Sequence, residues 1–222
     1  MFLYESGEYK DINSLIRHPT ASVKGINDLG QMMGTFEDPT GKKRLFLYEN
    51  EEFKDLGSLE ENRSIAPNDI NNSGQIVGSS EADFPNRKAF LCDDGEMKDI
   101  GNPKDYYGGS VTGINDRKQI LFHAYLNVPG FLPPSSFFLW EDGEFINLEE
   151  EFFANSNWEN FYYRSNNLRQ IVGTGSINGQ SHGFLITPSI IPEPSTIFMF
   201  LWGLFGCYWI KKKNKTLNQT DR

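Results

Sequence analysis

The chain has 222 residues, a formal net charge of −9 and 14% aromatic residues, 18 of them Phe, which is enough core material for one sizeable domain or two small ones. The stretch Lys211 to Arg222 carries five cations and one anion, so residues 1–210 sum to −13, and a body that acidic repels phosphate backbones and argues against nucleic acid as a partner. Cys92 lies in the acidic body and Cys207 in an apolar tail, so the two set up no disulfide framework.

From the first residue the body repeats. Phe2, Phe46, Phe90, Phe138 and Phe184 each sit in a short apolar run ("MFLY", "LFLY", "AFLC", "FFLW", "GFLI") at separations of 44, 44, 48 and 46. A second marker follows the first: "INDLGQMMG", "INNSGQIVG", "INDRKQILF" and "SNNLRQIVG" place Gln31, Gln75, Gln119 and Gln170 at separations of 44, 44 and 51.

Each copy reads as two hairpins. The first turns at Ser6-Gly7, Asn50-Glu51, Asp94-Gly95 and Asp142-Gly143. Both central residues of a type I′ turn need positive φ, which Asp-Gly supplies and Glu51 adopts at a cost. The second turns at Asn27 to Gly30 and Asn71 to Gly74, with Gly where a left-handed residue is wanted. Lys118 and Arg169 replace that Gly later, which predicts strained or rebuilt turns.

Full four-strand units are expected at residues 21–57, 64–101 and 110–148, with three strands over about 159–187. The N-terminal hairpin, residues 2–12, is expected to complete the last unit. The predicted fold is all-β: a small propeller-like repeat domain of about four blades over residues 1–187. An open arc or a two-sheet sandwich would use similar strands. "FFLWEDGE" and "INNSGQIVG" resemble the bacterial HAF-type extracellular repeats, and the resemblance implies an exported, non-enzymatic repeat domain.

Candidate chemistry in the body is thin. Asp69, Asn71 and Ser73 alternate before Gly74 as in a calcium loop, but Ser80 stands where the bidentate Glu belongs, so a hairpin turn is the better reading. Glu149-Glu150-Glu151 reads as a solvated loop face, and the other carboxylates fall in turns where nothing is expected to shift their pKa. His18, His123 and His182 have no second ligand at metal spacing, so neither a metal nor another cofactor is expected. Trp140, Trp158, Tyr162 and Tyr163 suit a sugar-stacking platform, and suit a core better.

The chain then changes character. Residues 188–195 form a Pro-rich linker, residues 196–210 an uncharged apolar segment, and residues 211–222 a basic tail. As a helix the apolar segment would reach roughly 22 Å, short of the roughly 30 Å hydrocarbon core unless flanking residues and snorkelling lysines contribute. Lys211, Lys212, Lys213 and Lys215 act as the cytoplasmic anchor, which leaves the body outside. A buried core helix would explain the length but not the four lysines; a tail anchor inserted after synthesis would leave the body cytoplasmic.

Pro192, Glu193, Pro194 and Ser195, followed by the apolar segment and the lysines, resemble a PEP-CTERM sorting signal of exported bacterial envelope proteins. The resemblance implies that an exosortase takes this chain as its substrate, with Pro192, Glu193 and Pro194 as the recognised element and Ser195 completing the sorting signal. It also implies an envelope location, membrane-anchored through the C-terminal helix, with extracellular polysaccharide as a partner of the body. Such proteins begin with a secretory leader, whereas "MFLYESGEYK" has neither a basic n-region nor an apolar stretch of seven residues, which points to a start codon placed too late or a truncated gene. The rival class is a propeller enzyme acting on glycans, with a carboxylate pair as acid and base.

Overall fold

Strands follow the repeat almost residue for residue. The structure, a computed structural model, describes residues 2–5, 7–60, 63–80, 87–126, 134–165 and 170–187. The chain divides into two units, Met1–Ile186 and Thr187–Arg222, and the described secondary structure lies in the first.

Strands β1 (Phe2–Glu5) and β2 (Glu8–Asp11) precede helix α1 (Ile12–Ile16). The first four-stranded sheet is β3 (Ser22–Ile26), β4 (Met32–Glu37), β5 (Lys43–Glu49) and β6 (Glu52–Gly57). The second is β7 (Ile65–Ile70), β8 (Ile76–Ser80), β9 (Ala89–Asp93) and β10 (Glu96–Asp99). The third is β11 (Tyr106–Ile114), β12 (Ile120–Leu126), β13 (Ser135–Glu141) and β14 (Glu144–Asn147), followed by α2 (Leu148–Phe153). A three-stranded sheet, β15 (Trp158–Ser165), β16 (Ile171–Ile177) and β17 (Gln180–Ile186), comes last. Among the described residues every pairing is antiparallel between neighbours in the chain, and no sheet closes into a barrel.

The expected turns form, except that Ser6 of the Ser6-Gly7 turn lies outside the described residues. Asn50-Glu51, Asp94-Gly95 and Asp142-Gly143 have both φ values positive, as type I′ geometry demands, and Asn178-Gly179 adds the same turn between β16 and β17. Lys118 takes the strained alternative: its φ is +65°, left-handed for a non-glycine residue, and the turn is not rebuilt, keeping its Asn115 N to Gln119 O bond of 3.1 Å. Its Nζ reaches Asp93 Oδ2 at 2.6 Å, which helps offset the strain of a left-handed Lys. Arg169 lies outside the described residues.

The middle strands β4, β8 and β12 are buried because each is covered on both faces, whereas β16 leaves Val172 half exposed. Met33, Ile76, Val77, Ile120 and Phe122 are wholly buried, and the apolar clusters lie between successive sheets. Val77, Ala89 and Leu91 of the second sheet, for example, pack with Val111, Ile114 and Phe122 of the third. Each such side chain contributes roughly 1.5–3 kcal/mol of transfer free energy.

Close approach depends on one glycine per sheet. Gly34, Gly78 and Gly173 pair with Phe46, Phe90 and Phe184, and a Cβ on any of the three would fall within 2.9 Å of the Phe ring. The third sheet reverses the arrangement. Phe122 stands opposite Phe138, and the glycine moves to the neighbouring strand at Gly109, where a Cβ would lie 2.5 Å from Phe122 Cζ.

The N-terminal hairpin does not complete the last sheet. β1 and β2 form a two-stranded sheet of their own, and the expectation is corrected on this point. The physical reason is duplication: β1 and β17 are the same element of the repeat, and β17 already holds the edge of β16. Helix α1 of this region is seated, with Ile12 and Ile16 packed against Phe36, Phe46 and Tyr48.

Candidate functional site

Most of the recurring polar residues are committed to structure. Asn27, Asn71 and Asn115 each accept main-chain N–H bonds within their own turn and donate to the Gln four residues on. The same amides then cross to the next sheet: Asn27 Nδ2 donates to Asn71 O at 2.9 Å and Asn71 Nδ2 to Asn115 O at 3.0 Å. Asp28, Asn72 and Asp116 form a second rail, with Asn72 Nδ2 3.0 Å from both Asp28 Oδ2 and Asp116 Oδ2. Gln31 and Gln75 donate to Glu49 and Asp93 at the ends of β5 and β9.

Asp69 belongs to this framework. Its two oxygens accept from Ile70 N at 3.0 Å and from Ile114 N at 2.9 Å in the next sheet. Burial pushes its carboxyl above the ordinary value. With Asn71 also occupied by backbone donors, this segment is a hairpin turn and an inter-sheet clasp. Among the described residues no group of three His, Cys, Asp or Glu side chains could hold a metal ion.

Where the repeat breaks, a cleft opens. The Gln marker spacing widens from 44 to 51 between the third and fourth copies, and the inserted chain includes α2. The cavity there has a volume of about 620 Å³. Ser110 and Thr112 of β11, His123 of β12 and Phe137 of β13 line one side. Glu149 of α2 and Glu159, Phe161 and Tyr162 of β15 line the rest. Thr35 pairs with Leu45 in the first sheet and Ser79 with Ala89 in the second; the same register position holds His123 and Phe137 in the third. Their rings stack with centroids 4.4 Å apart.

Glu149 was expected on a solvated loop and is not there. Asn147 caps α2 by accepting from Glu149 N at 3.0 Å, which turns the Glu149 side chain toward β13, where Oε1 accepts from Phe137 N at 3.2 Å. Burial raises its pKa above the ordinary 4.5, outweighing its hydrogen bonds to Ser136 and Phe137. Burial also lowers the pKa of His123, so the imidazole is kept neutral. Tyr163, just behind the cleft, is fully buried, and its hydroxyl has no hydrogen-bond partner among the described residues. Its pKa is raised by burial and then by the charge of Glu149.

The four aromatics considered for sugar stacking divide. Trp140 belongs to the core beside Phe122 and Phe138, Tyr163 packs 4.8 Å from Phe137, and Trp158 packs against Phe153 and Phe184. Tyr162 is 60% exposed at the cleft, with the Arg164 guanidinium 5.4 Å from its ring centroid. The sequence signal that could have located this cleft was the stretched spacing together with His and Phe standing where earlier copies hold Thr with Leu and Ser with Ala.

Pro192, Glu193, Pro194, Ser195, Lys211, Lys212, Lys213 and Lys215 lie outside the described residues, as does the whole 196–210 segment. Among the described residues no helix is long and apolar enough to cross a membrane. In comparisons with known proteins, no family model and no curated protein matches the chain.

Proposed function

We propose that the chain is a non-catalytic repeat module of the bacterial cell envelope, displayed outside the membrane and delivered by its C-terminal signal. On this reading Pro192, Glu193 and Pro194 are recognised by an exosortase, Ser195 completes the signal, residues 196–210 hold the chain in the bilayer, and Lys211, Lys212, Lys213 and Lys215 keep the tail inside. The sheets stand as blades of a propeller-like array, with β3, β7, β11 and β15 as successive inner strands. Extracellular polysaccharide is the partner.

The observation that supports a scaffold most strongly is the 44-residue ladder. Asn27, Asn71, Asp28, Asn72, Gln31 and Gln75 bond to one another's repeats or to strand ends, so the residues that recur are spent on stacking. A repeat whose recurring polar groups are all structural presents surface, and its specificity sits where the repeat is interrupted.

The test is to express the gene with its upstream DNA in a host carrying the sorting enzyme. The reading predicts export, loss of the tail, and a block of that processing when Pro192, Glu193 and Pro194 are replaced by Ala. Retention in the cytoplasm with an intact tail overturns it. The rival reading, a glycan-cleaving enzyme, is favoured by one observation, a half-buried carboxyl of raised pKa at Glu149 sharing a cleft with Glu159. Release of new reducing ends from an oligosaccharide, lost in Glu149→Gln, would establish it.

A further inference from the structure

The cleft between the third and fourth sheets has a chemistry of its own. Among the described residues its ionisable lining consists of Glu149, Glu159, Tyr162 and His123 with no lysine or arginine, although the Arg164 guanidinium lies 5.4 Å from the Tyr162 ring centroid. Glu149 is half-buried and Glu159 exposed, so one carboxylate stands inside the cleft and one at its mouth. Phe137, Phe161 and Tyr162 give it ring faces, and the hydroxyls of Ser110 and Ser135 give it small polar groups.

A volume of about 620 Å³ lies within the usual range for small-molecule sites. Rings suit the C–H faces of a sugar, and carboxylates beside rings suit a cation, because the face of an aromatic ring is itself negative. The −13 charge of residues 1–210 concentrates cations around the whole body.

Two observations set this cleft apart from an ordinary gap in packing. The first is that its walls depart from the repeat, with His123 and Phe137 where the first two sheets have Thr35 with Leu45 and Ser79 with Ala89. The second is cost: Tyr163 does not line the cleft but packs directly against its wall residue Phe137, and it carries the one buried side-chain polar atom without a partner among the described residues. Leaving such a hydroxyl unsatisfied is destabilising, and such groups call for a reason other than packing.

We propose that this cleft binds a protonated amino sugar, a hexosamine unit whose amine is free, with Glu149 and Glu159 receiving the ammonium and Tyr162 and Phe161 lying against the sugar's C–H face. No bond is made or broken. The inference rests on the reading of the body as a saccharide-facing module, and it narrows the saccharide to one carrying positive charge.

The test uses the full chain kept in solution by a polyoxyethylene detergent, which carries no sugar headgroup to compete. Calorimetric titrations compare a glucosamine tetramer, its fully N-acetylated counterpart and tetralysine. The expected result is binding of the glucosamine tetramer at least about tenfold tighter than of either control. Glu159→Gln and Tyr162→Ala, both on exposed side chains, should each weaken it by about tenfold, with unchanged circular dichroism. Equal affinity for the acetylated tetramer would overturn the amino-sugar assignment and leave the saccharide-facing reading standing. Equal affinity for tetralysine would reduce the site to general electrostatics, and binding of none of the three would overturn the amino-sugar assignment, while the proposed function stands or falls on the export test. Undiminished binding in both variants would place the ligand elsewhere and refute the cleft.

Discussion

The side chain of Asn71 donates from Nδ2 to the main-chain oxygen of Asn115 at 3.0 Å, and these residues hold the same place in successive repeats, 44 positions apart. Asn27 does the same to Asn71. One residue type at one spacing therefore closes its own turn and fastens that turn to the next. This explains why the second marker of the repeat is as regular as the hydrophobic one.

Asn71 is 4% exposed and its Oδ1 accepts from Ser73 N and Gln75 N. Asn71→Ala leaves these donors and the Asn115 oxygen without their partner, at an expected cost of about 2–3 kcal/mol. Urea unfolding measures it. A loss below about 0.5 kcal/mol would mean that the turn is held by other groups.

Gly109 and Gly183 should behave in opposite ways. A Cβ at Gly109 would meet Phe122 Cζ at 2.5 Å and His123 O at 2.7 Å, so Gly109→Ala forces the strand to shift, at about 2–4 kcal/mol. At Gly183 the nearest atom is 3.8 Å away, and Gly183→Ala should be neutral or stabilising by a few tenths of a kcal/mol. Thermal unfolding of the two variants separates them.

Cys92 is buried and its thiol is pushed up to about 11, by burial first and then by the charge of Asp93. In a Cys207→Ser variant the remaining thiol should resist a disulfide reagent at pH 8 until denaturant is added. Rapid labelling of the folded protein would show that the second sheet opens at Cys92.

Acid stability follows from two groups of opposite sign. The pKa of Asp93 is held below its ordinary 3.8 by Lys118 and then by Gln75, and that of Glu49 below 4.5 by Lys54 and then by Gln31. Each contributes stability that is present above its unfolded pKa and lost as pH falls through its folded one, so below about pH 4 the Asp93–Lys118 clasp between the second and third sheets weakens, as does the Glu49 contact within the first sheet. The carboxyls of Asp69 and Glu149 are raised by burial, so their contribution is full below the ordinary values of 3.8 and 4.5 and is lost as pH rises through their folded pKa values. Asp93→Asn should flatten the acid limb of the stability profile. Glu149→Gln should remove the fall above pH 4.5 and leave the protein at least as stable at pH 7, as expected where a carboxylate is kept for binding. A clear loss of stability at pH 7 would mark Glu149 as structural.

The strands were legible because two markers of different chemistry shared one period. The boundaries expected at 21–57 and 64–101 enclose the first two four-stranded sheets, the third sheet starts at Tyr106, four residues before the expected 110, and the Asp-Gly turns fell where φ had to be positive. Helices α1 and α2 were not legible: five and six residues are too short for a helical period to register, and what starts them is a cap. Asp11, Asp55, Asp99 and Asn147 each accept from the main-chain N–H two residues on, but Gly57 and Gly101 follow in two copies and turn left-handed, whereas Asn13 and Glu149 continue as helix. The burial of Glu149 depends on that local choice, and no count of charges in "LEEEFF" reveals it. The place of the N-terminal hairpin was missed because similarity to the repeat says which strand it resembles and not which edge is free.

The central claim, that equivalent turn residues fasten one sheet to the next, is tested most directly by a double-mutant cycle between Asn72 and Asp116, whose side chains meet at 3.0 Å. Unfolding free energies of Asn72→Ala, Asp116→Ala and the pair are predicted to show a coupling of about 0.5–1 kcal/mol. Strict additivity of the two substitutions would mean that the ladder carries no energy between repeats, and would contradict the account.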